Sequence, residues 1–187
     1  ILSGRTQDKN LETLAAALRE KGMVIAKTIV IKDDLVSIAE NMQALMQEFE
    51  WTFCSGGLGP TRDDITKEAL CRLASVTLEE NPEAEKLALL HYQRYGRIWT
   101  KQTNAYHLIP KDVIPLENPA GLAPGLFFNQ KGHQLFCLPG VPREFKEMLI
   151  QSVLPLVEHH PSFHKNIIDY ITIRTHGVPE EKIFFQL

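Results

Sequence analysis

Between positions 54 and 66 the chain reads Cys54-Ser55-Gly56-Gly57-Leu58-Gly59-Pro60-Thr61-Arg62-Asp63-Asp64-Ile65-Thr66. Three glycines in four positions let a backbone approach a ligand closely and turn its N–H groups toward an anion, and the positive end of a following helix would add to the attraction. Such a turn would hold a phosphate through Ser55, Gly56, Gly57, Gly59, Pro60 and Thr61. Asp63 and Asp64 stand beside it. Carboxylates there repel a phosphate unless a divalent cation lies between them, so the segment points to metal-dependent phosphoryl chemistry. The same residues admit a plainer reading, a tight loop in which Asp63 or Asp64 caps the next helix. Arg62 also has two readings: neutralising a transferred phosphoryl group, or pairing at the surface with Asp63 or Glu68.

Two further clusters share this composition, Asn118-Pro119-Ala120-Gly121-Leu122-Ala123-Pro124-Gly125 and Leu138-Pro139-Gly140-Val141-Pro142-Arg143-Glu144. Each alone reads equally as a structural turn. Six of the eleven glycines lie in the three clusters, which fits three loops gathered at one edge of a sheet better than scattered turns.

The elements that must carry these loops are legible from periodicity. Leu14, Ala15 and Leu18 have helical spacing, stopped by Gly22. Val24 to Ile31 is a β-branched, strand-like run. Asp34 can cap a helix with the stripe Leu35, Ile38, Ala39, Met42, Leu45, Met46 and Phe49, followed by a short buried strand from Trp51 to Cys54. Ile65 to Leu73 and Pro82 to Tyr95 read as helices, and Val113 to Leu116 as extended. Leu126 to Asn129 and Gln134 to Leu138 form a hairpin across 130–133. Pro142 opens a last helix that Pro161 closes. Strands alternating with helices predict an α/β fold, a mostly parallel sheet with right-handed crossovers, and a ligand beyond the strands' carboxyl ends. After His159 the composition turns polar, and Ile167 to Arg174 opens a new alternating strand. The expected division is therefore 1–162 and 163–187.

The balance of charges excludes some classes of function. A net charge of −3 and an isoelectric point near 6.2 disfavour a nucleic-acid backbone as partner. No apolar run approaches the ~20 residues of a membrane span. Cys54, Cys71 and Cys137 are odd in number and lack metal-ligand spacing, which reads as reduced, mostly buried thiols of a cytoplasmic protein. His159, His160 and His164 fall in the polar linker without helical spacing and read as surface residues rather than metal ligands.

The order of motifs carries a resemblance that spans nearly the whole chain. Leu2-Ser3-Gly4 with Asn10, then Gly56 to Thr66, Lys101-Gln102, Asn118-Pro119 with Ala123-Pro124-Gly125, and Leu138 to Glu144 resemble the amino-terminal domain of the CinA (competence/damage-inducible protein A) family. That domain is similar to the MoaB/Mog molybdopterin-binding fold, a three-layer α/β/α arrangement whose loop has threonine where this chain has Leu58. The resemblance implies an ADP-ribose pyrophosphatase that uses a divalent metal ion, releases AMP and ribose 5-phosphate, and forms a homo-oligomer, most simply a dimer. Adenylyl transfer to a pterin phosphate, as in Mog-type proteins, and a non-catalytic nucleotide-binding module are the alternatives.

Carried over by position, Asp64 and Asp33 match the family's acidic residues, with Asp63 as a further metal ligand and Arg62 and Lys101 as cations. Asp33 by itself reads as a capping or turn residue, and Lys101 as a solvated one. Ser3, Gly4 and Asn10 match the first ligand-facing loop, whose preceding strand is expected upstream. Asn118, Gly121, Gly125, Pro139 and Gly140 match the other two loops. Residues from Ile167 onward resemble the start of a small KH-like α+β domain.

Overall fold

The computed structural model describes residues 1, 2, 4, 7–163, 176, 177, 181 and 182. Local signals set most helix starts. The Asp8 carboxylate accepts the Leu11 N–H at 2.9 Å and opens α1 (Lys9–Glu20), and Asp34 accepts the Ser37 N–H at 2.8 Å and opens α2 (Leu35–Glu48). Asn81 accepts from Glu83 and Ala84 to open α4 (Pro82–Arg94). Helix α3 (Thr66–Ala74) has no side-chain cap, so neither Asp63 nor Asp64 is spent on capping it. Pro142 begins α5 (Pro142–Met148), which passes through a wider π-helical turn, Leu149–Val153, into α6 (Leu154–His159).

Among the described residues six strands accompany these helices: β1 (Trp51–Ser55), β2 (Leu78–Glu80), β3 (Leu108–Pro110), β4 (Ile114–Leu116), β5 (Gly125–Gln130) and β6 (His133–Leu138). The main sheet has the order β1-β6-β5-β4, while β2 and β3 form a separate antiparallel pair that the sequence reading did not anticipate. Strand β6 is covered on both faces. Leu135 and Cys137 join the cluster of Ile38, Met42 and Leu70, whereas Phe136 and Leu138 join Leu14, Phe145 and Met148 on the other side. This alternation places helices on both faces and makes the three layers.

Two expectations about the sheet change. The sheet is mixed: β1 pairs with β6 in parallel, but β6 with β5 and β5 with β4 are antiparallel. The cause is the link Lys131-Gly132, with φ of 54° and 88°. A two-residue turn of that hand can only reverse the chain, whereas a parallel partner needs a long crossover. Val24 to Ile31 takes no ladder partner among the described residues, so it is not a strand here. β-branched residues favour extension, but a strand exists only through its neighbour's hydrogen bonds. A hollow of about 780 Å³ lies between this segment and β1.

The second unit expected over 163–187 lies outside the described residues, apart from Phe163, His176, Gly177, Glu181 and Lys182. No helix among the described residues is long and apolar enough to cross a membrane. Cys137 is buried, whereas Cys54 and Cys71 are only half-buried.

Candidate active site

The β1–β6 register brings the loops together. Ser55 stands opposite Leu138, so two of the three clusters leave the sheet side by side from the carboxyl ends of parallel neighbours. The Gly56 N–H continues the ladder by donating to the Leu138 carbonyl at 2.9 Å. Strand β5 runs the other way, so the loop that precedes it reaches the same edge. The three loops enclose a cavity of about 790 Å³ whose wall includes Gly57, Gly59, Pro60, Gly121, Pro139 and Gly140.

Two carboxylates face this cavity, Asp64 and Glu144. Asp64 is held within its own turn, accepting the Thr61 N–H at 3.0 Å and the Thr61 hydroxyl at 2.5 Å. Glu144 accepts from Asn118 Nδ2 at 2.8 Å. Gly59 and Gly121 pass so close to these carboxylates that a Cβ at either would collide with them. Tyr106 also lines the cavity. Burial pushes its phenol well up, and the charges of Tyr92, Glu144 and Asp64 act in the same direction, so it faces the cavity as a neutral hydroxyl. Lys67 Nζ donates to the Ala105 and Leu108 carbonyls at 2.8 and 3.1 Å, tying α3 to the segment that carries Tyr106.

Behind the cavity a buried polar network shapes the second loop. Asn118, with no exposed surface, donates to the Ala123 carbonyl at 2.9 Å and accepts the Ala120 N–H at 3.1 Å. Its own N–H donates to His91 Nε2 at 3.1 Å, which leaves His91 Nδ1 to donate to the Leu122 carbonyl at 3.1 Å. The ring is therefore a neutral tautomer fixed from both sides. Burial lowers the His91 pKa from its ordinary value near 6.5. The unfolded chain therefore takes up a proton that the folded one refuses. The stability His91 supplies is full above the ordinary range near pH 6.5 and declines as pH falls below it, with a slope of at most about 1.4 kcal/mol per pH unit. Urea unfolding between about pH 7.5 and 5.5 should show this decline, and His91→Gln should flatten it.

The backbone of the first loop is equally constrained. Gly57 has φ +71°, and a Cβ there would collide with the Thr66 hydroxyl, which donates to the Gly56 carbonyl at 2.8 Å. Gly57→Ala is expected to cost about 1–3 kcal/mol through left-handed strain and displacement of Thr66. Thermal unfolding of the variant checks it.

Other anticipated residues fall elsewhere. Asn10 donates to Ser55 Oγ at 2.8 Å and to the Gly140 carbonyl at 2.9 Å, which ties the first loop to the other two. Ser55, Gly56 and Asn10 line the second hollow, and Gly57 and Gly140 border both. Gly125 is buried against Met148 rather than facing the cavity. Gly4 is exposed, and Ser3 lies outside the described residues.

The expected metal set is not gathered. Asp33 is exposed and lines the hollow beside β1, whereas Asp64 lines the other cavity. The reason is positional: it follows the 24–31 segment, which lines the same hollow as the edge strand β1. Asp63 is exposed and outside the cavity wall. Among the described residues no three or more His, Cys, Asp or Glu side chains are placed to hold a metal. Arg62 is exposed and forms no ion pair with Asp63 or Glu68. Lys101 lies outside the cavity wall, bound to Glu80 at 2.7 Å and Glu85 at 3.2 Å. Mutual attraction holds its charge there and shifts Lys101 up and Glu80 down. Sequence reasoning overlooked Glu144, Tyr106 and His91 as parts of the site. Glu144 was the most accessible of these, since it closes the third glycine-proline cluster.

Comparison with known proteins identifies the family and the fold. The family described as a probable molybdopterin binding domain matches residues 1–159. A CinA-like protein of Desulforapulum autotrophicum is 32% identical over 189 residues, covering 98% of this chain and 44% of its own length. A protein of Pyrobaculum arsenaticum is 33% identical over 185 residues, covering 98% of this chain and 68% of its own. The chain thus spans less than half of one relative and about two thirds of the other. Among solved structures, a CinA protein of unknown function from Thermoplasma acidophilum superposes with a TM-score of 0.70 at 33% identity, covering 80% of this chain and 88% of that one. The molybdopterin biosynthesis enzyme MoaB of Thermus thermophilus shares the fold, with a TM-score of 0.55 at 19% identity over 84% of this chain and 85% of that one. The chain belongs to the molybdopterin-binding domain family, as the MoaB/Mog-like domain found at the amino terminus of CinA proteins.

Proposed function

We propose that this domain hydrolyses the diphosphate of ADP-ribose to AMP and ribose 5-phosphate with the help of a divalent cation. The observation that carries this reading is the meeting of three glycine-rich turns with Asp64 and Glu144 around one cavity. Cations of the magnesium class are held by one or two carboxylates and complete their shell with water and substrate phosphate oxygens. Asp64 and Glu144 fit that donor set, whereas an all-protein site of three or more ligands would not fit the described residues. Bound there, the cation would offset phosphate charge and make water more acidic.

The chain's own groups do the rest. N–H groups of Gly57, Leu58 and Gly59 hold a phosphate, as preorganised donors do in phosphoryl transfer. Tyr106, neutral at ordinary pH, donates a hydrogen bond. A water oxygen attacks one phosphorus in line, the bridging oxygen leaves with the other phosphate, and one of the two carboxylates takes the proton. Leu58 is buried in the cavity wall, an apolar group where the Mog-type loop has threonine, which favours the CinA-type reading over the Mog-type one. Cytoplasmic location and homo-oligomeric assembly belong to the same proposal.

Incubating the chain with ADP-ribose and Mg²⁺ should release AMP and ribose 5-phosphate. Adenylylated pterin from ATP and molybdopterin would establish the Mog-type reading instead. Binding of ADP-ribose without turnover would make the domain a nucleotide-binding module.

A further inference from the structure

We propose that Arg97, which no sequence motif singled out, is the residue that receives the diphosphate of the ligand; this rests on the cavity being the phosphate site described above. Among the described residues it is the cation in the cavity wall. The neighbouring cations are committed elsewhere. Lys67 is held by two carbonyls, Lys101 by Glu80 and Glu85, and Arg94 by Glu117 at 2.7 Å and by the Asn118 carbonyl at 2.7 Å. Arg62 and Arg143 are exposed and outside the wall. The Arg97 side chain, by contrast, makes no hydrogen bond or ion pair with a described residue.

The chain presents Arg97 deliberately. Gly96 takes φ +64° after α4 and turns the backbone, closed by Gly96 N–H to the Gln93 carbonyl and Arg97 N–H to the Tyr92 carbonyl, both at 2.9 Å. The Tyr95 hydroxyl donates to the Ala120 carbonyl at 2.6 Å, joining this turn to the second loop. Trp99, buried and donating to Asn104 at 2.8 Å, anchors the segment on its other side. The position of Arg97 is therefore set between two fixed points, while its guanidinium has no partner among the described residues.

Charge balance decides what that guanidinium is for. Asp64 and Glu144 together carry −2, which a divalent cation cancels. A diphosphate diester such as that of ADP-ribose then brings −2 of its own, and Arg97 is the side-chain charge left in the wall to meet it. Its planar fork can give two parallel hydrogen bonds to phosphate oxygens, which a lysine cannot.

The test uses inorganic pyrophosphate and adenosine as separate probes, each titrated calorimetrically into the chain with Mg²⁺. Arg97→Ala should weaken pyrophosphate binding about 10- to 100-fold and leave adenosine binding unchanged, with Arg97→Lys in between. Because Arg97 is exposed, both variants should keep the parent's unfolding temperature. Equal pyrophosphate affinity in Arg97→Ala, or no pyrophosphate binding by the parent chain, would overturn the inference. Pyrophosphate binding that depends on Arg97, in a chain that does not cleave ADP-ribose, would uphold it while removing the hydrolase reading.

Discussion

Asp64→Asn is expected to lower Mg²⁺-dependent turnover of ADP-ribose by about 10²–10³-fold while leaving the unfolding temperature close to that of the parent. Asparagine is the informative replacement because its amide oxygen can still accept from the Thr61 N–H and hydroxyl, which Asp64 now does at 3.0 and 2.5 Å. The turn is thereby preserved and only the charge is removed. Alanine would confound the two by releasing the loop. Steady-state release of AMP, with the Mg²⁺ concentration varied, measures the effect. Activity within a few-fold of the parent would show that Asp64 serves its turn and not the reaction. Asp33→Asn serves as the contrast: Asp33 lines the other hollow, so turnover should change little.

The largest effect on stability is expected from Asn118→Leu. Leucine has the same branched skeleton of side-chain heavy atoms, though bulkier methyl groups, but cannot donate to the Ala123 carbonyl or Glu144, nor accept the Ala120 N–H. Each buried group left without its partner costs roughly 1–3 kcal/mol. A total loss of about 3 kcal/mol, or roughly 6–12 °C in unfolding temperature, follows for a chain of this length. Calorimetry on the variant decides it, and a loss below about 1 kcal/mol would mean that water replaces the amide. Turnover should fall as well, since the same amide holds Glu144 at the cavity.

Much of this molecule could be read before it was folded. Asp8 and Asp34 illustrate why helix starts are legible or overlooked for local reasons. Each caps through a hydrogen bond to a residue three positions on, but only Asp34 precedes an apolar stripe strong enough to draw the eye. The hairpin of β5 and β6 was visible from two apolar runs and a glycine between them. Val24 to Ile31 failed for the opposite reason. Its β-branched residues fit a strand, but the partner that would make it one is not a property of the segment. The three glycine-proline clusters were recognised and do share a cavity, because each follows or precedes a strand at the same sheet edge.

The charged residues show the limit most sharply. Asp64 and Lys101 stand in recognisable motifs and Arg97 in none, yet Arg97 lines one cavity with Asp64 and Glu144 while Lys101 turns to Glu80 and Glu85. Sequence by itself determined the helices, the glycine-rich turns, the hairpin and the family, because these depend on interactions or motifs within a few residues. Tertiary structure alone decided that Asp64 shares a cavity wall with Glu144 rather than with Asp33, and that β6 lies between β1 and β5. Those outcomes rest on which strands lie side by side, and strand order is set by packing among residues far apart in the chain.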